Sequence, residues 1–105
     1  MKLIRDRIPE IIEKAGKWCL CRTVHGKDEH VVMLQHKMQE EVEEFVHDPS
    51  YEEAADILEV LRELAALYDL EMDEIWRTAD AKRQERGGFS KGIILENVGS
   101  NDESR

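Results

Sequence analysis

Cysteine is scarce in this sequence: Cys19 and Cys21 are the only two. A C-x-C pair with no second pair falls short of a zinc-site spacing, and a disulfide between the two would be strained. Both are read as thiols of a reducing compartment. The four histidines (His25, His30, His36, His47) show no H-E-x-x-H or comparable ligand spacing and are read as surface or packing residues. Long apolar runs are also missing, so no membrane span is expected. Lys2, Arg5, Asp6 and Arg7 interrupt any apolar stretch near the start. No signal peptide is read there, and a cytoplasmic location is the expectation. Basic charge is in deficit, with 15 Lys and Arg against 24 Asp and Glu and a net charge of -9. That balance excludes a broad basic face for nucleic acid. Phosphates can be bound only through a few focused cations or through metal ions. Repeats, low-complexity blocks and internal linkers are absent as well.

What remains is a helix-prone mixture, 37% charged and 41% hydrophobic, in 105 residues. That length fits one domain with a single core and no deep private cavity. A substrate would sit between helices or between subunits. The first helix is expected from about Asp6 to Ala15, with Asp6 as its cap, Pro9 in its first turn and Gly16 as its stop. Trp18 to Val24 reads as a short extended segment whose one conceivable partner strand is Ile93 to Val98. A second helix runs from near Asp28 to near His47. Its apolar residues Val31, Leu34, Met38, Val42 and Phe45 recur in steps of three or four, and Asp48-Pro49 ends it. Ser50 with Glu53 forms a capping-box pattern for a third helix carrying Ile57, Leu58, Val60, Leu61, Leu64, Ala65 and Tyr68. A fourth helix spans about Met72 to Arg86 and stops at Gly87-Gly88. Short connections make neighbouring helices antiparallel. The stretch from Gly99 to Arg105 is polar and reads as a frayed tail.

Two acidic motifs stand close together. Glu40-Glu41-Val42-Glu43-Glu44 contains E-E-x-x-E, and Glu53-Ala54-Ala55-Asp56 contains E-x-x-D. Residues three apart share a helix face. If the second and third helices pack side by side, Glu41, Glu44, Glu53 and Asp56 converge on an oxygen-rich site suited to a hard divalent cation. On a helical wheel, Glu53 falls inside the arc of Ile57, Val60, Leu61 and Leu64, with Asp56 at its edge. Glu41 lies about 60° from the centre of its apolar stripe, and Glu44 farther out. Carboxylates on a core-facing arc are costly unless paired or metal-bound. A merely solvated acidic face competes with this reading, since Glu-rich helices are common. Glu40, Glu43 and Glu52 are assigned to solvent.

On the fourth helix, Lys82 and Arg86 continue the stripe begun by Ile75 and Ala79, so the apolar face turns cationic. Arg can fork onto phosphate and Lys can act as a point charge. Lys37, one turn before Glu41, can join them, and Lys91 is a weaker candidate. The alternative is that these cations only favour the helix dipole and snorkel. Two glycines at 87 and 88 permit a chain reversal that would pack Phe89 back on the bundle.

Taken together, the segment Lys2-Leu3-Ile4-Arg5-Asp6-Arg7-Ile8-Pro9-Glu10-Ile11-Ile12, the paired acidic motifs, and Lys82-Arg83-Gln84-Glu85-Arg86-Gly87-Gly88-Phe89 with Gly92-Ile93 resemble the MazG-like branch of all-α nucleotide pyrophosphohydrolases. That branch is related to phosphoribosyl-ATP pyrophosphohydrolases. The resemblance covers residues 1–98, taken as one domain ahead of the polar tail at 99–105. It implies an all-α helical bundle completed by homo-oligomerisation, as a homodimer or homotetramer. It implies a magnesium-dependent enzyme, with manganese as a possible substitute, that cuts nucleoside triphosphates between the α and β phosphates, giving a monophosphate and pyrophosphate. Clearance of damaged nucleotides is one role such an activity can serve. The resemblance matches Glu41, Glu44, Glu53 and Asp56 to metal ligands. Glu41 and Glu44 are the catalytic candidates, and Lys37, Lys82 and Arg86 the phosphate contacts. Asp80 stands where some relatives carry an Asn used in nucleotide recognition. The competing classes are a non-catalytic helical dimer with a regulatory or partner-binding role, and a phosphoribosyl-ATP pyrophosphohydrolase.

Overall fold

Proline and glycine punctuate the chain where its helices begin and end. The computed structural model describes residues 1–100. Among these residues lie four helices, α1 (Ile8–Lys14), α2 (Lys27–His47), α3 (Tyr51–Leu67) and α4 (Met72–Arg86), and no strand. The all-α expectation therefore holds. Trp18–Val24 and Ile93–Val98 do not pair as strands. The Trp18–Val24 segment is instead tied to α2. The Arg22 guanidinium forks onto both Glu29 carboxylate oxygens at 2.9 and 2.8 Å, and the His25 amide donates to the same carboxylate at 2.8 Å. Within that segment the sulfurs of Cys19 and Cys21 lie 3.6 Å apart as free thiols.

The first helix starts two residues later than the sequence pattern predicts. The Ile8 amide donates to the Arg5 carbonyl at 3.1 Å, so a turn occupies residues 5–8. Arg7, not Asp6, is the N-cap, and no side chain caps the helix. Pro9 sits in the first turn, where its missing N–H is not needed. The other end closes as expected. Gly16 has φ 79°, the Lys17 amide donates to the Ile12 carbonyl at 3.2 Å, and the Gly16 amide donates to Glu13 at 3.0 Å. This is the Schellman arrangement, which needs a left-handed residue at the position Gly16 fills.

Helix α2 begins with Asp28 and Glu29 in its first turn, where carboxylates favour the dipole. The connector Asp48-Pro49-Ser50 leads directly into α3. The Ser50 hydroxyl accepts the Glu53 amide at 3.2 Å, the expected cap. A three-residue connector leaves the two helices antiparallel, and α2 against α3 is the principal helix packing. Leu34 from α2 and Val60 and Ala65 from α3 are buried between them. Val31, Met38, Phe45, Ile57, Leu61 and Leu64 are half-buried around these three. Val42, expected in the apolar stripe, is exposed.

The chain divides into two compact units, Met1–Met72 and Asp73–Arg105. The second holds α4 and the segment that follows, and none of its described residues is buried. Ile75 is half-buried, whereas Trp76, Ile93 and Ile94 are exposed. Phe89 does not pack back as the glycine pair implied, for it is 99% exposed. Gly87 (φ 83°) ends α4, its amide donating to the Arg83 carbonyl at 2.8 Å. Of the polar tail, residues 101–105 lie outside the described residues. No helix among the described residues is long and apolar enough to cross a membrane.

Candidate metal centre

The helical hairpin gathers acids because each sits where its helix packs. Glu41 lies on the α3-facing side of α2 and is only 7% exposed. Glu53 and Asp56, one turn apart at the start of α3, are half-buried. One carboxylate oxygen from each of Glu41, Glu53 and Asp56 lies within 4.8 Å of the others. Part-burial pushes the Glu53 carboxyl above its ordinary value, and the charges of Glu44, Asp56, Glu41 and Asp48 push it the same way.

Glu44 stands apart from the other three. It is exposed and contributes no oxygen to the cluster, although its charge bears on Glu53. Three residues along a helix are a rotation of about 300°, so Glu44 is turned some 60° away from Glu41. The four acids expected from spacing thus form a cluster of three with a fourth at its rim.

Two cations answer two of the three carboxylates. The Lys37 ammonium lies 3.2 Å from a Glu41 oxygen and 3.5 Å from Glu40, and its side chain is largely buried. The Arg5 guanidinium donates to Asp56 at 2.6 Å, a short charge-assisted bond. Glu53 has no ion pair among the described residues. Lys37 was singled out from the sequence, but as a phosphate contact. Arg5 stood only within the segment preceding α1, and no spacing rule links it to a residue 51 positions away.

Beside the cluster lies a groove of about 470 Å³. Leu3, Ile4, Arg5 and Asp6 form one wall, and α2 and α3 supply the rest, including Lys37, Glu41 and Asp56. Lys82 and Arg86 belong to the second unit. Both are exposed in the C-terminal half of α4, and neither forms an ion pair among the described residues.

The donor set fits a hard divalent cation in its chemistry: three carboxylates, no sulfur, no imidazole. The three oxygens already lie within 4.8 Å of one another, so seating a cation among them asks only a small movement of the side chains. Rotation about the side-chain bonds of half-buried Glu53 and Asp56 can supply that movement. Fold and site together define a class, an all-α protein with a carboxylate cluster seated on a helical hairpin. Comparisons with protein-family models, with curated proteins and with solved structures found no match.

Proposed function

We propose that this protein is a magnesium-dependent nucleoside triphosphate pyrophosphohydrolase that cuts the α–β phosphate bond and releases a nucleoside monophosphate and pyrophosphate. The observation that carries the proposal is the meeting of Glu41, Glu53 and Asp56 within 4.8 Å, one of them buried, beside a groove of about 470 Å³. The motif resemblance in residues 1–98 supports the same reading.

A divalent ion held by these three residues would supply Lewis acidity and a bound water of lowered pKa. The protein's own groups do the rest. Lys37 fixes the Glu41 carboxylate from within its own helix. Glu44, outside the cluster and open to solvent, is our candidate to take the attacking water's proton. That water adds to phosphorus, and the bond to the departing pyrophosphate breaks. The motif resemblance implies phosphate contacts at Lys82 and Arg86, cations that would offset charge in the transition state.

A homodimer or homotetramer is part of the proposal. Among the described residues only Leu34, Val60 and Ala65 are buried apolar side chains, while Trp18, Leu20, Val46, Trp76, Ile93 and Ile94 are exposed. So much apolar surface on a small chain calls for a partner surface.

The deciding experiment is a nucleotide panel with magnesium, scored for pyrophosphate, with melting temperature followed as magnesium is added. The parental protein should release pyrophosphate and melt higher with magnesium. Glu53→Gln should release none and lose the magnesium-dependent rise. It should nevertheless melt higher than the parent without magnesium, because one of several mutually repelling charges is gone. Parental turnover in that variant would refute the assignment. A chain with no magnesium response and no pyrophosphate release would be a binding module. Selective cleavage of phosphoribosyl-ATP would redirect the substrate within the same chemistry.

A further inference from the structure

The Arg5–Asp56 bond is unusual in what it joins. It runs from the segment ahead of α1 to a carboxylate of the cluster, at 2.6 Å. One of the five guanidinium N–H donors is used in that bond. The others make no hydrogen bond among the described residues, and the side chain is 56% exposed at the groove wall. Lys37 holds its carboxylate from within one helix and is largely buried, so it is fixed. Arg5 holds its carboxylate from a non-helical segment and is half in solvent, so it is free to leave.

We infer that Arg5 is an exchangeable cation. It neutralises Asp56 while the cluster holds no metal, and it transfers to a phosphate group of the ligand when a divalent ion takes Asp56. The inference rests on the metal reading above and deepens it. A guanidinium and a divalent cation repel one another at a shared carboxylate, so Arg5 opposes metal binding on its own. A polyphosphate entering the groove offers the displaced fork two oxygens of one charged phosphate group, a bidentate partner that the planar guanidinium suits better than ammonium does. Arg5 therefore couples the two ligands: metal alone binds weakly, and metal with polyphosphate binds cooperatively.

The test measures binding and needs no turnover. Mn²⁺ affinity is measured by titration calorimetry with and without inorganic pyrophosphate, in the parental protein, Arg5→Gln and Arg5→Lys. Arg5→Gln should bind Mn²⁺ alone more tightly and bind pyrophosphate to the Mn²⁺-loaded protein more weakly. The cooperativity between them should fall by at least about fivefold, the lower edge of ordinary coupling between two ligands. Arg5→Lys keeps the charge and loses the fork, so it should leave Mn²⁺ affinity near the parental value and still weaken pyrophosphate. Weaker Mn²⁺ binding in Arg5→Gln, or unchanged affinities for both ligands, overturns the inference while leaving the metal centre standing. A parental protein that binds no Mn²⁺ overturns both. Circular dichroism confirms that each variant keeps its helices.

Discussion

The helical hairpin and the fourth helix carry charge in opposite ways. In the hairpin, Glu41 is buried, Glu53 and Asp56 are half-buried, and Leu34, Val60 and Ala65 hold the backbones that present them. In α4, every residue from Trp76 to Arg86 is exposed, and Lys82 and Arg86 have no ion pair among the described residues. The contrast teaches where order resides. Acids brought to short range by packing repel one another, and Lys37 and Arg5 offset part of that repulsion. Cations on an exposed helix keep their freedom and can settle on whatever anion arrives. Burial thus separates acids held in place by packing from cations left in solvent.

The sharpest way to break this comparison is to neutralise each region in turn. Asp56→Asn should cut pyrophosphate release by at least about 100-fold, the scale on which a lost electrostatic contact to a transition state is felt. It should also remove the magnesium-dependent rise in melting temperature. The double variant Lys82→Gln with Arg86→Gln should keep that rise and lose about 10- to 100-fold in kcat/KM, as expected for hydrogen bonds to a charged group. If the α4 variant instead abolishes the magnesium response, the two regions are not separable.

Stability should divide along the same line. Leu34→Ala empties a site that is 3% exposed and should lower unfolding free energy by about 2–5 kcal/mol. Trp76→Ala, at a side chain 59% exposed, should change the stability of a dilute monomer by no more than about 0.5 kcal/mol. Its effect should appear in the sedimentation equilibrium of the concentrated protein, where an apolar face engaged by a second copy would be weakened.

A smaller effect comes from the tether ahead of α2. The Arg22 fork and the His25 amide hold the Glu29 carboxyl down to about 2 from its ordinary 4.5. A carboxyl depressed by folding stabilises the fold fully above the ordinary value, and that contribution fades as pH falls toward the folded one. The gap in melting temperature between the parent and Arg22→Gln should therefore be constant above about pH 5 and close between about pH 4.5 and 2. A gap that persists at the acidic end would mean that Arg22 acts by packing.

Much of this was written in local sequence. The bounds of α4, the Ser50 cap, the Gly16 stop and the placement of Glu41, Glu53 and Asp56 on inward arcs all follow from periodicity and capping. These are properties of one helix at a time. The departures arise where one element meets another or a turn chooses among near-equal closures. Asp6 loses the cap to a turn through Arg5 and Ile8. Glu44 falls outside the cluster because the packing direction of α2 on α3, which spacing does not give, turns Glu41 inwards and leaves Glu44 exposed. Arg5 reaches Asp56 through the path of the chain before α1, which no pattern encodes. Phe89 and the apolar residues after it are exposed because nothing in a single chain's composition says whether its own core or another surface covers them.

The end of α3 offers a check confined to one backbone position. The Leu70 amide donates to the Ala65 carbonyl at 2.8 Å and the Asp69 amide to Ala66 at 3.1 Å, the same closure that ends α1. Gly16 fills the left-handed position there, whereas Asp69 fills it here with φ 57°. A side chain in that region meets the following carbonyl, a strain that Asp tolerates better than most residues and Gly does not feel. Asp69→Gly relieves the strain but enlarges the freedom of the unfolded chain, so the two effects oppose. The strain is the larger, and the variant should gain roughly 0.5–1 kcal/mol in denaturant unfolding. Asp69→Val, β-branched at a left-handed position, should lose stability. Matching stabilities for the two variants would show that the turn has opened into another conformation, and the closure ending α3 would have to be redrawn.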